Sequence, residues 1–217
     1  MTKLGSTRIK QRGGAQESGK NRGVAMIFQR AGSASGLGHV GWAYQKIDEV
    51  WICGATENPS GHLGGTGDAK GFWALPYSPA DVPAIFGRPR SLPAGECAPY
   101  NNYKVVKVEL PNGPEAWSKA CWCQDRPFEV PCRDCLDDTY DILTAYGVKS
   151  LPWPIIAEPN LWFDLIPGHA MKVPRNGALS AEGKQQMPVE GTPPRWRVAG
   201  TVEYRELQTL LKKYSSI

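Results

Sequence analysis

Short runs of apolar residues, some continuous and some alternating with polar ones, predict the strands of this chain. Residues 23–29, GVAMIFQ, form a continuous apolar run that is typical of a buried strand. Residues 39–45, HVGWAYQ, alternate between two faces, and residues 49–57, EVWICGATE, follow a tight turn. The last two stretches therefore predict a β-hairpin. Residues 102–110, NYKVVKVEL, predict a further strand.

The clearest helical pattern lies in residues 136–146. Its inward stripe follows the i, i+3, i+4, i+7 spacing of a buried helix face and consists of Thr139, Ile142, Leu143 and Tyr146. Asp134 is the expected N-cap and Gly147 the expected end of this helix. A second, shorter helix is predicted for residues 113–124, which carry a proline in the first turn.

The other stretches are less regular, and the 24 glycines and 19 prolines of the chain predict many turns and long loops. Residues 59–100 are expected to form an irregular insertion held by the apolar anchors Phe72, Trp73 and Phe86. Residues 151–166 are broken by prolines and are expected to wrap the core. Near the end of the chain, a strand is predicted for residues 196–204 and a helix for residues 205–217.

Length and charge predict one domain preceded by a tail. A chain of 217 residues suits a single core, here assigned to residues 23–217. Residues 1–22 hold six basic side chains and one acidic side chain, whereas the rest of the chain is nearly neutral. We expect this basic tail to be disordered and to make at most weak contacts with nucleic acid. The tail has no apolar segment typical of a secretory signal, and no run is apolar enough to span a membrane, so a cytoplasmic protein is expected.

Cysteine and histidine supply the candidate chemistry. The six cysteines are expected to be reduced thiols, available for packing, metal binding or catalysis. Cys135 is predicted at the start of the 136–146 helix, where backbone N–H groups favour a thiolate and can hold an oxyanion. His39 begins the alternating strand, and a histidine that faces such a thiol can act as its base. The small residues Gly41 and Ala43 share the predicted face of His39 and would let the helix lie close to the sheet.

These two stretches carry a resemblance to a known family. HVGWAYQ resembles the histidine strand of NlpC-type papain-like cysteine peptidases, and residues 134–148, DCLDDTYDILTAYGV, are similar to their cysteine helix. Because the histidine comes first, the order resembles the circularly permuted branch of lecithin retinol acyltransferase-like and desumoylase-like proteins. The resemblance covers residues 23–58 and 102–166. It implies an α+β fold in which a small antiparallel sheet packs against the cysteine-bearing helix, with long Gly/Pro-rich loops.

The resemblance also implies the site residues. Cys135 is preferred over Cys132 as the nucleophile, because Asp134 occupies the usual position before it and Gly147 follows at the family's distance. The residue that orients His39 is expected on the next strand. The aligned position falls near Cys53, and Glu57, farther along, is the candidate that could reach the histidine.

Two functions are implied by these residues together with the resemblance. The leading interpretation is a thiol-dependent hydrolase or acyltransferase without a cofactor, acting on a peptide, isopeptide or other acyl carbonyl through Cys135, His39 and Glu57. The alternative is a non-catalytic papain-like or zinc-stapled binding module. In that module four thiolates could bind zinc, namely Cys121, Cys123, Cys132 and Cys135.

Overall fold

The structure of the protein is a computed structural model that describes residues 22–47, 50–57, 71–92, 95–126, 128, 133–154 and 158–180. Its strands are β1 (Gly23–Gln29), β2 (Val40–Ile47), β3 (Val50–Glu57), β4 (Gly71–Tyr77), β5 (Arg90–Leu92), β6 (Gly95–Cys97), β7 (Asn102–Val108) and β8 (Met171–Lys172). Six of them form one antiparallel sheet in the order β4-β3-β2-β1-β7-β8, and β5 pairs with β6. The predicted hairpin is confirmed as β2 and β3.

Helices cover this sheet. They are α1 (Asp81–Phe86), α2 (Gly113–Gln124), α3 (Cys135–Tyr146) and α4 (Pro159–Leu165). The predicted α+β class with an antiparallel sheet is therefore confirmed. The tail up to residue 21 lies outside the described residues, as do the strand predicted at 196–204 and the helix predicted at 205–217.

The sheet has an apolar core on each face. One core lies between the sheet and helices α2, α3 and α4, and it includes Val40, Trp42 and Tyr44 of β2. The opposite core contains Ala43 of β2 and packs against α1, Tyr100 and the segment after β8. The prediction that the His39, Gly41 and Ala43 face receives the cysteine helix is therefore wrong. Large apolar residues of β2, rather than small ones, face the core that includes α3.

The region between β3 and β7 is more regular than predicted. Its described part contains β4, which extends the main sheet, followed by α1 and the β5–β6 pair. The predicted anchors Phe72, Trp73 and Phe86 are all buried. The prolines and glycines of this region do not prevent regular secondary structure. The prediction that residues 59–100 are irregular is therefore wrong for the described part of this region.

Helix α3 has the signals that its sequence predicts. Asp134 is the N-cap, and its side chain accepts a hydrogen bond of 2.7 Å from the Leu136 N–H. Asp137 accepts a hydrogen bond from the Asp134 N–H at 3.1 Å, which completes a capping box. Gly147 ends the helix in the left-handed conformation, with φ of 109°. The predicted inward stripe is buried.

Within the described residues, none of the helices combines the length and the apolar character needed to cross a bilayer.

A tight contact between β3 and its neighbours gives a test of the sheet. A Cβ atom at Gly54 would overlap with the Trp73 carbonyl oxygen and with the Trp42 ring. Gly54→Ala should therefore lower Tm by several degrees, since overpacking costs about 1–3 kcal/mol and about 1 kcal/mol moves Tm by roughly 2–4 °C. Thermal unfolding followed by circular dichroism measures this.

The matched control is Gly32→Ala, because a Cβ atom there meets nothing within 4 Å. Its Tm should stay within about one degree of wild type, as expected for an unconstrained surface site. Equal effects of the two substitutions would contradict the packing described for β3.

Candidate active site

The Glu57 carboxylate, at the end of β3, collects donors from several parts of the chain. Arg30 approaches both of its oxygens, at 3.1 and 3.3 Å. Tyr100 OH donates to Oε1 at 3.2 Å, and Trp73 Nε1 donates to the same oxygen at 3.4 Å. The Arg30 guanidinium also lies 4.5 Å from the centre of the Tyr100 ring. Glu57 is only 1% exposed, so these contacts replace the water that a carboxylate would otherwise bind.

His39 lies beside the same carboxylate. Its Nε2 is 3.0 Å from Glu57 Oε2, an ion-pair distance, although the N–H direction does not meet the angle of a hydrogen bond. Strand register explains the proximity: Gly41 pairs with Ala55, and two residues further along His39 stands opposite Glu57. Cys53 pairs instead with Ala43, which excludes it as the residue facing His39.

Cys135 is the first residue of α3 and is 5% exposed. Its thiol accepts a hydrogen bond from the Val40 N–H, so the sulfur lies at the backbone of the residue next to His39. The Asp134 carboxylate, on the other side of Cys135, interacts electrostatically with His39. The start of α3 and the start of β2 therefore meet at one end of the sheet.

The electrostatics of the thiol differ from the expectation for a helix N-terminus. Burial raises the pKa of Cys135 well above its ordinary value, and the carboxylates of Asp134, Glu57 and Asp138 raise it further. The hydrogen bond from Val40 acts in the opposite direction. Because Asp134 also caps the helix, its charge offsets the positive end of the helix dipole. The Cys135 thiol is thus protonated at neutral pH in the free protein.

A second buried carboxylate lies one turn into α3. Asp138 accepts a hydrogen bond of 2.7 Å from Thr56 Oγ1 and another from the Cys123 thiol. Arg133 Nε is 3.9 Å from its other oxygen. Burial, the largest cause, raises the pKa of Asp138 to about 7 in spite of the two hydrogen bonds. Burial likewise raises the pKa of Cys123, so Cys123 is a neutral donor.

The structure brings the three residues chosen from the sequence to one end of the sheet: His39 precedes β2, Glu57 ends β3 and Cys135 begins α3. Cys132, the alternative nucleophile and one of the four predicted zinc ligands, lies outside the described residues. Among the described residues, no group of three or more His, Cys, Asp or Glu side chains could hold a metal ion.

Sequence reasoning missed the partners of Glu57. Arg30 directly follows the apolar run of β1, and a charged residue at the end of a buried strand is a signal that could have identified it. Tyr100 and Trp73 come from the region read as irregular, and nothing in their local sequence indicates that they reach β3.

Comparison with protein families, with curated proteins and with solved structures finds no match to this chain.

The capping carboxylate gives a test of the thiol's environment. Asp134→Asn keeps an oxygen that can cap α3 but removes the negative charge beside the thiol. The pKa of Cys135 should fall, and its alkylation by iodoacetamide at pH 7.5 should become several-fold faster, since only the thiolate reacts. Peptide mass spectrometry measures the rate at Cys135.

Asp141→Asn, which removes a charge from the same helix at a greater distance along it, is the matched control and should accelerate alkylation much less. If Asp134→Asn alkylates no faster than wild type, the capping carboxylate does not suppress the thiolate.

The buried Asp138 predicts a pH dependence of stability. Its pKa in the folded protein, about 7, exceeds the ordinary value of 3.8, so the folded state binds more protons between these values. The free energy of unfolding should therefore decrease as the pH rises through this window. Asp138→Asn should raise Tm at pH 8 and should have little effect at pH 4, as measured by calorimetry.

Asp164→Asn, at an exposed carboxylate, should leave Tm unchanged at both pH values. A Tm difference between Asp138→Asn and wild type that is the same at pH 4 and pH 8 would show that Asp138 is ionised throughout.

Proposed function

We propose that the protein is a thiol-dependent hydrolase or acyltransferase, in which Cys135 attacks a carbonyl carbon and His39 acts as its base. The observation that carries the proposal is a convergence of three elements. The Cys135 thiol is bound by the N–H of Val40, and the adjacent His39 lies 3.0 Å from Glu57. A nucleophile, a base and an orienting group held by separate elements are the arrangement that thiol catalysis needs.

The chemistry follows from the protonated thiol. Because Nε2 of His39 lies 3.0 Å from Glu57, we assign the other ring nitrogen, Nδ1, as the one that takes the thiol proton. The sulfur bonds to the carbonyl carbon, and the oxyanion that forms is stabilised by backbone N–H groups. The intermediate collapses to a thioester as His39 returns the proton to the leaving amine or alcohol. Water or a second acceptor then attacks the thioester, giving hydrolysis or acyl transfer.

The capping box limits which N–H groups can serve as the oxyanion hole. Asp134 occupies the N–H groups of Leu136 and Asp137, and its carbonyl accepts from Asp138. The Cys135 N–H is not used by the box, so we assign the oxyanion to it. This donor is on the nucleophile itself, which keeps it close to the reacting carbon.

Glu57 orients His39 more than it supplies charge. Arg30 already forms a two-point ion pair with Glu57, which neutralises much of the carboxylate's field. Proton transfer to His39 therefore depends on where the imidazole lies. Because the thiol is protonated, it loses its proton to His39 as the sulfur attacks the carbonyl carbon.

The permuted papain-like arrangement is part of the proposal. It is supported by the order of the residues, with His39 before Cys135, and by the packing of α3 on a face of an antiparallel sheet. The proposed substrates are amides, isopeptides or esters.

The alternative, a non-catalytic binding module, is favoured by one observation: both the thiol and the imidazole are buried, with Cys135 5% and His39 6% exposed. Under this alternative, the contacts of Glu57 only stabilise the folded structure. The zinc-stapled form would also require the Cys123 thiol, which donates to Asp138, to ionise. Metal analysis of the purified protein, with about one zinc per chain expected for a staple, separates that form from the enzyme.

Acetyl transfer from p-nitrophenyl acetate tests the enzyme proposal. Wild type should release a burst of p-nitrophenol and carry the acetyl group on Cys135, as mass spectrometry would locate it. His39→Ala should slow acetylation by roughly 10²–10⁴-fold, the usual contribution of a general base. Cys135→Ala should abolish the burst.

Cys121→Ala, at a partly exposed thiol on α2, is the matched control and should retain the burst. If Cys132 is acetylated instead, and its acetylation depends on His39, the nucleophile is Cys132 rather than Cys135. Acetylation that is indifferent to His39→Ala would favour the binding module.

A further inference from the structure

The loop that delivers His39 is held by one side chain of α4. The Asn160 side-chain amide donates to the carbonyl oxygens of Ala31, at 3.0 Å, and of Gly36, at 2.8 Å. Its oxygen accepts from Gln29 Nε2 at 3.0 Å, and its backbone N–H donates to the Leu37 carbonyl at 3.0 Å. A residue more than 120 positions away along the chain thus binds both ends of the loop between β1 and β2.

This loop contains unfavourable backbone conformations, which are offset by hydrogen bonds within the loop and by the contacts of Asn160. Ala34 and Ser35 have φ of 51° and 57°, in the left-handed region that non-glycine residues rarely adopt. Gly36 and Gly38 also have positive φ, of 94° and 96°. A Cβ atom at Gly38 would overlap with the Asn160 side chain, which indicates how closely the loop and α4 approach.

The ends of the loop are the residues that meet at Glu57. Arg30 and His39 bind each other through both backbone groups, with N–O distances of 2.8 and 3.1 Å. Both side chains then reach Glu57. A shift of the loop would consequently move the imidazole relative to the Cys135 thiol, although the hydrogen bonds of Asn160 described above go to neither of them.

Helix α4, which carries Asn160, is itself attached to the sheet by hydrogen bonds. The Lys104 ammonium group, on β7, donates to the carbonyls of Phe163 and Asp164 in the last turn of the helix, at 2.9 and 3.2 Å, and to that of the C-cap Ile166 at 2.6 Å. At the other end, Gln29 is itself held by Asn102 at 2.7 Å. The contacts of Lys104 and Asn102 therefore hold in place both the helix that carries Asn160 and its partner Gln29.

The structure assigns Asn160 as a positioning residue for His39: its amide fixes the 31–38 loop and thereby places the imidazole for proton transfer. This inference rests on the proposed thiol chemistry and adds to it a residue that lies outside the reacting groups.

A double-mutant cycle separates positioning from general stability. Asn160→Ala should lower the rate of Cys135 acetylation by p-nitrophenyl acetate by about ten- to a hundredfold, as expected for a misplaced catalytic group. In the His39→Ala background the same substitution should have almost no effect, because there is no imidazole left to place. Asn160→Asp should behave like Asn160→Ala, since a carboxylate cannot donate to the two loop carbonyls.

The matched control is Asn112→Ala, another asparagine at a helix N-terminus, which caps α2 by accepting from the Glu115 N–H. It should leave the acetylation rate unchanged in both backgrounds. If Asn160→Ala does not fold, as judged by circular dichroism, Gln29→Met is the second variant, because it removes the hydrogen bond from Gln29 to Asn160. It should lower the acetylation rate by a smaller factor, and this effect should again disappear in the His39→Ala background.

Equal losses from Asn160→Ala in both backgrounds, or a wild-type rate in Asn160→Ala, would overturn the assignment while leaving the proposed function intact. A wild-type protein whose acetylation does not depend on His39 would instead overturn the proposed function, and the positioning role with it.

Discussion

The buried Glu57 carboxylate is the constraint around which this end of the sheet is built. A carboxylate removed from water is costly unless charged and polar donors surround it. Here the donors come from the end of β1, from β4 and from the segment before β7, through Arg30, Trp73 and Tyr100. These elements must be in place together, and His39 lies 3.0 Å from the same carboxylate.

The same features that stabilise the fold work against a free thiolate. The capping box gives α3 a firm start, but its Asp134 charge lies beside Cys135 and raises the thiol pKa. The Arg30 guanidinium is held by Glu57 in a two-point ion pair. A neutral thiol is stable in a buried, carboxylate-rich setting, and in the function proposed above it needs a base held in the correct place.

Local signals in the sequence predicted much of the fold. The limits of β1, β3, α2 and α3 lie within one residue of the predicted ones, because apolar runs, caps and glycine ends act over a few residues. The face on which α3 packs was predicted wrongly, since alternation identifies two faces without stating which one a helix covers. Likewise β4 and Tyr100 depend on contacts with distant parts of the chain, which no local pattern encodes.

The location of the site follows from this alternation. Within a sheet, successive side chains point to opposite faces, so a residue of the Gly41 face and a helix on the Trp42 face are separated by the sheet itself. His39 precedes the first residue of β2, where the sheet ends, and the Cys135 thiol meets the backbone N–H of that first residue, Val40. Groups from the two faces of a sheet can meet only where its strands end. The N-terminus of α3, rather than its middle, lies at this end of the sheet, so its first residue, Cys135, lies beside the start of β2.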